Sequence, residues 1–587
     1  MLENFKNEIY KLYDVLNSTI TLKNKLLKID DLKKKYSINE ELSNAYYKYI
    51  SLSREKGVVY TPHKIAQYII QNTISCKDII ENPFIKIIDP ACGSGNIILP
   101  AFKYLKKIYV ENLEEINLKN NLNLDEMNLN YHIVKNNLFG FDIDKTAIKI
   151  LSIDLFYESS CLTNNFLQKD FLIDNIAYKY DIFISNPPYI GLKAMDKNYS
   201  LNLKKMYYTY KDKGDISYCF FQKSMESVTE NGKLGFITSR YFLESLSGEK
   251  LRKVLRQSSS IYKIVDFYGI RPFKNVGIDP IMIFLSNKYS RDNYIKVIKP
   301  HYVKGSSKKY FYNSLFSGSS ENMNEFLIKQ SSLDDNGWIL INAAERNIIR
   351  KIEQCSHNSL YDICNSYQGI ITGCDKAFIV DSETIENEGI EKEFIRRWIK
   401  SKVIRKNYIE AENKYIIYSD EIKDIEAYPN IQKHLSSYKA KLSGRRECVK
   451  GIRAWYELQW GRNKDIFEGE KIIFPFKSSS NRFALDKGSY FSADIYSLIL
   501  KDDMPFNYEY LLYILNSKVY EFYFKTFAKK LGNDLYEYYP NTIMKLYIPD
   551  MNKFNCNYTE EGMYDVFGFT EDEVRIIENS FNKESKS

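Results

Sequence analysis

Asp181-Ile182-Phe183-Ile184-Ser185-Asn186-Pro187-Pro188-Tyr189 is the stretch whose reading decides the fold. Ile182, Phe183 and Ile184 are apolar and β-favouring, which predicts a buried strand. Pro187 and Pro188 cannot donate ladder hydrogen bonds, so the strand stops there. An amide, an exposed carbonyl and an aromatic ring are thereby held at a strand's C-terminal end, where open α/β sheets bind ligands.

Working outward, short apolar strands recur at Lys86-Ile87-Ile88, Leu138–Phe141, Leu234–Ile237, Ile264–Phe267 and Ile281–Leu285, with helical segments between most of them. That alternation predicts a Rossmann-like α/β domain with a mainly parallel sheet over residues 53–290. Residues 1–52 read as a helical extension, because Phe5, Ile9, Leu12 and Leu16 recur at three- and four-residue steps. Residues 291–345 are more polar and read as a connector. From 346 to 587 short strands, glycine turns and Arg/Trp/Tyr clusters precede a more helical end, which predicts a second, mixed α+β domain. The tail 582–587 reads as frayed.

The composition sets bounds. A chain of 587 residues exceeds one compact core. No apolar run approaches the length of a membrane span, and the first residues carry acids without a signal-peptide core. Nine scattered cysteines without a CxxC pair predict free thiols in a reducing cytoplasm and no metal site. The +8 net charge fits nucleic-acid binding without establishing it.

Ile87-Ile88-Asp89-Pro90-Ala91-Cys92-Gly93-Ser94-Gly95-Asn96 reads as a strand, an acid and a glycine turn opening a helix. Gly93 and Gly95 permit close approach of a ligand to the backbone. Asp89 stands where a pyrophosphate loop wants only amide donors, so the ligand there carries positive charge rather than phosphate. Further on, Asp142 ends the next strand and suits a ribose diol, and Asp170-Phe171 suits an adenine edge and face. A ribose, an adenine and a cationic head together describe S-adenosylmethionine.

Gly57-Val58-Val59-Tyr60-Thr61-Pro62, Asp89–Gly95 and Asn186-Pro187-Pro188-Tyr189, in this order, resemble the γ-class amino-methyltransferases that modify adenine N6 in DNA. The resemblance implies a class I methyltransferase domain followed by a target-recognition domain. It places Tyr60, Thr61, Pro62, Asp89, Pro90, Ala91, Cys92, Gly93, Asn96, Asp142, Ile143, Asp170, Phe171 and Asn186 around the donor, with S-adenosylhomocysteine as product. It makes Asn186, Pro187, Pro188 and Tyr189 catalytic, with Phe273 packing on the target base. The aromatic residue common in that family after the glycine turn is Ile97 here. Exocyclic N6 is a poor nucleophile, and accepting its two N–H groups on the Asn186 side-chain carbonyl and the Pro187 backbone carbonyl returns electron density to nitrogen. The base must leave the duplex to reach them, and Tyr189 then restores stacking.

The strand tip alone fits any planar amino substrate, including RNA bases and protein amides; the second domain separates these. Residues 444–464 interleave Arg445, Arg446, Lys450, Arg453, Arg462 and Lys464 with Trp455, Tyr456 and Trp460. Arg neutralises phosphate or forks onto guanine, and aromatics wedge beside an extruded base. Gln368, Lys376, Lys402, Lys477, Ser479, Asn481 and Arg482 add polar candidates for phosphate and base edges. The partner predicted is double-stranded DNA. The stretches QGIITGCDKAF, GRREC, WYELQWGR and NRFA, with RYFLESLSG upstream, resemble clostridial orphan adenine methyltransferases of the CamA type. That resemblance implies an A-rich asymmetric site like CAAAAA, a link to sporulation and epigenetic regulation, a monomer, and a cytoplasmic, nucleoid-associated bacterial enzyme. The methylating component of a restriction-modification system is the alternative.

Overall fold

The structure is a computed structural model that describes residues 2–53, 60–176, 178–191, 195–211, 214–273, 277–300, 308–531, 535–554 and 558–581. Gly57–Val59 of the motif quoted above and the tail 582–587 lie outside the described residues. The chain divides into two compact units, Met1–Leu340 and Ile341–Ser587.

In the first unit nine strands form one sheet: β1 (Ile87–Asp89), β2 (Leu138–Asp142), β3 (Phe166–Gln168), β4 (Tyr180–Ser185), β5 (Val228–Ser239), β6 (Ser260–Asp266), β7 (Pro280–Ser286), β8 (Tyr294–Pro300) and β9 (Met323–Lys329). Their order is β3-β2-β1-β4-β5-β7-β6-β8-β9. β3, β2, β1, β4 and β5 run parallel, and β7 and β9 run against their neighbours. Among the helices are α1 (Leu2–Leu16), α2 (Leu22–Lys35), α3 (Leu42–Ser53), α4 (His63–Thr73), α5 (Ile98–Glu111), α6 (Lys145–Ser159), α7 (Ser217–Ser227) and α8 (Glu249–Ser258). The sheet packs α4 and α5 on one face and α7 and α8 on the other, each over its own apolar cluster. That double covering explains why the central strands carry near-continuous Ile, Phe and Leu. The α/β expectation for this domain holds.

Chain order reverses at β1 and β4, which pair in the centre of the sheet through Ile87–Ile182 and Ile88–Phe183. The crevice beyond the C-terminal ends of such a pair is the natural ligand site of a parallel sheet. It brings the Asp89 turn and the Asn186 tip together, although 97 positions separate them in sequence.

One region departs from the expectation, and another, the helical extension, follows it. The segment 291–345 contributes β8 and β9 to the main sheet, so it extends the first unit and is not a connector between sheets. The reason is the run Tyr294–Pro300, where Ile295, Val297 and Ile298 are buried and Lys296 and Lys299 only half-buried. Residues 2–53 form three helices, whose Phe5, Ile9, Leu16, Ile29 and Leu42 are buried against Ala147, Ile150, Ile153 and Phe156 of α6.

The second unit holds two four-stranded sheets. One orders Cys364–Gln368, Ile495–Leu500, Glu470–Pro475 and Ala484–Lys487; the other orders Ile379–Val380, Tyr415–Ile417, Ile395–Ile399 and Tyr490–Phe491. Helices Tyr508–Leu515, Lys518–Phe527, Glu560–Phe567 and Glu571–Asn579 follow, giving the mixed α+β texture expected there. No helix among the described residues is long and apolar enough to cross a membrane.

Candidate active site

A cavity of about 440 Å³ opens at the C-terminal ends of β1, β2 and β4. Of the predicted donor residues, Tyr60, Thr61, Asp89, Pro90, Ala91, Cys92, Gly93, Asn96, Asp142, Ile143, Asp170, Phe171 and Asn186 all line it, as do Pro187 and Pro188. Pro62 does not; it is the residue preceding α4. The volume suits a nucleoside-sized ligand.

The turn after β1 is built on left-handed backbone. Gly93 has φ +50° and Gly95 has φ +100°, conformations that a Cβ disfavours. A Cβ on Gly95 would meet Leu151 Cδ1 at 2.6 Å, whereas one on Gly93 would meet nothing within 4 Å and would project into open space. Gly95 is thus needed for packing the turn on α6, and Gly93 keeps the floor of the cavity bare.

Asp89 is buried and Asp142 half-buried, and among the described residues neither forms an ion pair. Asp89 is 2% exposed; it accepts from Ala91 N–H at 3.0 Å and from the Ser185 hydroxyl at 2.7 Å. Burial pushes its pKa up to about 7, against the pull of these two hydrogen bonds, and the Asp142 carboxylate adds to the rise. Asp142 accepts from Gly93 N–H at 2.9 Å and from Asp144 N–H at 2.8 Å, and burial raises its pKa too. Lys169 also lines the cavity, but neither acid gains an ion pair from it. An electronegative, cation-poor cavity is stabilised by a ligand that brings positive charge.

Asp170 accepts from Leu172 N–H and from the Tyr199 hydroxyl, both at 2.9 Å. Phe171 is 2% exposed and stacks on Phe220 at 5.5 Å, so much of its ring belongs to the apolar core beside the cavity. Ile143 is 71% exposed, an apolar side chain at the mouth.

At the tip of β4 the Asn186 amide nitrogen donates to Thr61 Oγ1 at 3.0 Å. This orients the side-chain carbonyl away from Thr61, and the Tyr189 hydroxyl donates to that carbonyl. The same hydroxyl lies 3.2 Å from the Ile237 carbonyl. Phe273 is buried, with its ring 6.2 Å from that of Tyr189. Ser185, quoted in the strand but given no role from the sequence, ties β4 to the Asp89 turn. Its signal is the pairing of β1 with β4, which sets the residue before Asn186 beside the end of β1. Tyr46, Tyr47, Ile50, Met195, Tyr199 and Phe220 are further cavity residues that sequence reasoning missed.

The candidates for DNA contact in the second unit divide. Arg445 is buried, and its guanidinium donates to the backbone carbonyls of Leu442, Thr372, Trp455 and Glu457 at 2.8–3.1 Å. Asn481 is 2% exposed and bonds the Leu515 carbonyl and the Tyr538 hydroxyl. Both hold the fold together and are corrected out of the DNA-contact set, because their polar groups are spent inside the unit. Arg453 pairs with Asp420 at 3.0 Å and Lys402 with Glu412 at 2.5 Å. Arg462 reaches the Gln368 amide oxygen at 3.0 Å, and Gln368 in turn donates to the Ala493 carbonyl. Arg482 donates to Ser478 Oγ at 2.9 Å, and the Tyr456 hydroxyl donates to the Lys423 carbonyl. Trp455 is half-buried against the second unit's core, and Ser479 is half-buried. Lys376, Arg446, Trp460 and Lys477 are exposed.

Three protein families match parts of the chain. The Eco57I restriction-modification methylase family matches residues 136–273, and the DNA-methyltransferase domain of MmeI matches residues 80–172. The TaqI-like C-terminal specificity domain matches residues 397–548. The type II methyltransferase M.BstVI of Geobacillus stearothermophilus is 25% identical over 524 residues, covering 85% of this chain and 90% of that protein. The chain is thus similar to a type II DNA methyltransferase over most of its length. It is also 25% identical over 572 residues to the restriction enzyme and methyltransferase RM.Eco57I of Escherichia coli; that alignment covers 82% of this chain and 55% of the longer relative. Among solved structures, the type IIL restriction-modification enzyme MmeI in complex with DNA matches with a TM-score of 0.56 at 12% identity, over 87% of this chain and 73% of that one. At that identity the likeness speaks for the fold.

Proposed function

We propose that this chain is a site-specific DNA adenine-N6 methyltransferase that uses S-adenosylmethionine and acts on a base flipped out of double-stranded DNA. The observation that carries the reading is the juxtaposition of Asn186 with the cation-poor acids of the cavity, joined through the Ser185–Asp89 hydrogen bond. The acids fit a donor with a sulfonium and an ammonium group: buried Asp89 has no cationic side chain beside it, and Asp142 has acceptor capacity left for a ribose diol. The donor, when bound, supplies an electrophilic methyl group. Thr61 holds the Asn186 amide so that its carbonyl, with that of Pro187, accepts the two N–H groups of an exocyclic amine. The Tyr189 hydroxyl donates to that same carbonyl, which holds the Tyr189 ring beside the position where a flipped base would stack. Phe273 backs that ring from the core.

The match of residues 397–548 to a specificity domain supports duplex DNA as substrate, with Lys376, Lys402, Arg446, Trp460 and Lys477 the exposed residues of the predicted set, Lys402 being paired with Glu412. An A-rich asymmetric site of the CAAAAA kind, recognised by a monomeric orphan enzyme on the bacterial nucleoid, rests on the motifs quoted above. The type II relatives favour a second setting, the modification arm of a restriction-modification system. Incorporation of tritiated methyl into duplex DNA tests the chemistry: Asn186→Ala loses about 10²–10³ in turnover while S-adenosylhomocysteine still binds. Transfer that survives this change would end the proposed mechanism. Long-read sequencing of DNA from a methylation-deficient host expressing the chain gives the site, and a palindromic or GC-rich motif would reject the A-rich reading.

A further inference from the structure

Residues 2–53 lie outside all three family matches, which begin at residue 80. Nonetheless Tyr46, Tyr47 and Ile50 of α3 line the same cavity as Asp89 and Asp142. The helix is fixed at both ends of this contact. Where it starts, Asp154 in the middle of α6 accepts Leu42 N–H on one carboxylate oxygen and Ser43 N–H on the other, both at 3.0 Å. A helix leaves its first N–H groups without intrahelical acceptors, and a carboxylate there also meets the positive end of the helix dipole. One turn on, the Tyr46 hydroxyl donates to Asp144 Oδ2 at 2.6 Å, while Asp144 Oδ1 caps α6 by accepting from Thr146 N–H at 2.8 Å. The Tyr60 hydroxyl donates to the Asn44 side chain at 2.8 Å, and the rings of Tyr47 and Tyr60 lie 5.1 Å apart.

Asp154 is 2% exposed, in a helix that otherwise meets α3 through Ala147, Ile150 and Ile153. A buried carboxylate in an apolar helix contact is costly, and an apolar residue would pack this contact with less penalty. What the carboxylate adds is a fixed register: two directed hydrogen bonds settle where α3 begins, and hence which of its residues reach the cavity.

We infer that α3 is a wall of the donor site beside its nucleoside end, and that Asp154 is the positioning residue that sets that wall. The inference rests on reading the cavity as the donor site. Tyr46, Tyr47 and Ile50 then cover the nucleoside next to Asp142, Ile143 and Asp144 and exclude water from it. The N-terminal helices are in this sense part of the donor-binding machinery rather than an appended hairpin.

The test is calorimetric titration of the full chain with S-adenosylhomocysteine, with thermal melting and duplex-DNA anisotropy alongside. Asp142→Ala controls the underlying reading: wild type binds and this variant loses most affinity if the cavity is the donor site. Tyr47→Ala leaves the Asp154 clamp intact and weakens S-adenosylhomocysteine binding about tenfold, with melting and DNA affinity unchanged. Asp154→Asn, which keeps one acceptor and turns an amide N–H toward the second donor, weakens it by a similar factor. Because Asp154 acts through the wall, the double variant loses no more than about the worse single one; independent roles would multiply the losses. If wild type binds and Asp142→Ala does not, unchanged affinity in Tyr47→Ala overturns the inference while the donor site stands. Multiplying losses in the double variant also overturn the assigned role of Asp154. If wild type fails to bind S-adenosylhomocysteine, the reading of the cavity falls and the inference falls with it.

Discussion

Asp89 and Arg445 are both charged, both buried and both drawn from stretches that the sequence marks as functional, yet they stand in opposite states. Asp89 has a neutral hydroxyl and one amide for company and is held near neutrality by burial. Arg445 has four backbone carbonyls around its guanidinium. The first is a charge waiting for a counter-charge; the second already serves the fold. Burial alone therefore does not mark a site. What distinguishes one is burial together with incomplete compensation and an adjoining cavity.

The largest effect that would break this comparison lies in the second unit. Arg445→Ala strips the donor from several carbonyls in a buried pocket and is expected to destabilise that unit by about 3 kcal/mol. Arg446→Ala, its exposed neighbour, changes stability by no more than about 0.5 kcal/mol. Instead it lowers duplex affinity and reduces the slope of log affinity against log salt by about one. Denaturant melts and anisotropy at several salt concentrations separate the two. Equal effects of both variants on DNA binding, with no loss of stability in Arg445→Ala, would return Arg445 to the interface.

Asp142→Ala comes next. Removing hydrogen bonds to a charged group costs about 2 kcal/mol, so S-adenosylhomocysteine affinity should fall about thirtyfold. DNA affinity should stay as it is, because the residue belongs to the other unit. A parallel loss of DNA binding would mean that the turn, not the ligand contact, had been lost.

These contrasts also show what a sequence discloses. Asp89, Asp142 and Asn186 were legible because each stands at the end of a strand of one parallel sheet, and the topology carries them to the same edge. Tyr60, Thr61 and Pro62 follow no such rule: all three sit in the approach to α4, and the first two line the cavity while Pro62 does not. No such rule acts on 444–464, where Arg445 and Arg446 are adjacent and face opposite ways. Strand β8 was hidden for another reason. Its apolar residues Ile295, Val297 and Ile298 are interrupted by Lys296 and end at Lys299, too short a run to be told from a polar linker before its neighbouring strands are known. Ser185 and Asp154 were hidden because their roles depend on partners about a hundred residues away.

The pH dependence sharpens the Asp89 side of the comparison. Burial raises its carboxyl to about 7, above the ordinary carboxylate range. The folded state then holds a proton that the unfolded chain releases, so this group's contribution to stability falls as pH rises from about 4 to 7. A cationic ligand favours the ionised form, so donor binding expels that proton. Affinity for S-adenosylmethionine should fall as pH drops below 7, by up to about tenfold per unit, until the bound-state pKa is passed. Calorimetry in buffers of different ionisation enthalpy should register proton release near pH 6 for wild type and less for Asp89→Asn. A pH-independent affinity from 5.5 to 8 would show that Asp89 does not give up a proton when the ligand binds.

The smallest effect concerns Ser185. Its hydroxyl donates to Asp89 and is one of the two groups that hold the acid's pKa down. Ser185→Ala removes that donor without removing a charge, so donor affinity at pH 8 should fall only severalfold, for a loss of about 1 kcal/mol. The direction of the accompanying pH shift is more telling than the size. With one stabilising hydrogen bond gone, the Asp89 carboxyl should titrate higher, and the midpoint of the affinity profile should move to more alkaline pH. An unmoved midpoint with lowered affinity would mean that Ser185 serves only to pack β4 against β1. A midpoint moved upward would establish that the strand carrying the catalytic amide also sets the charge state of the acid facing the donor.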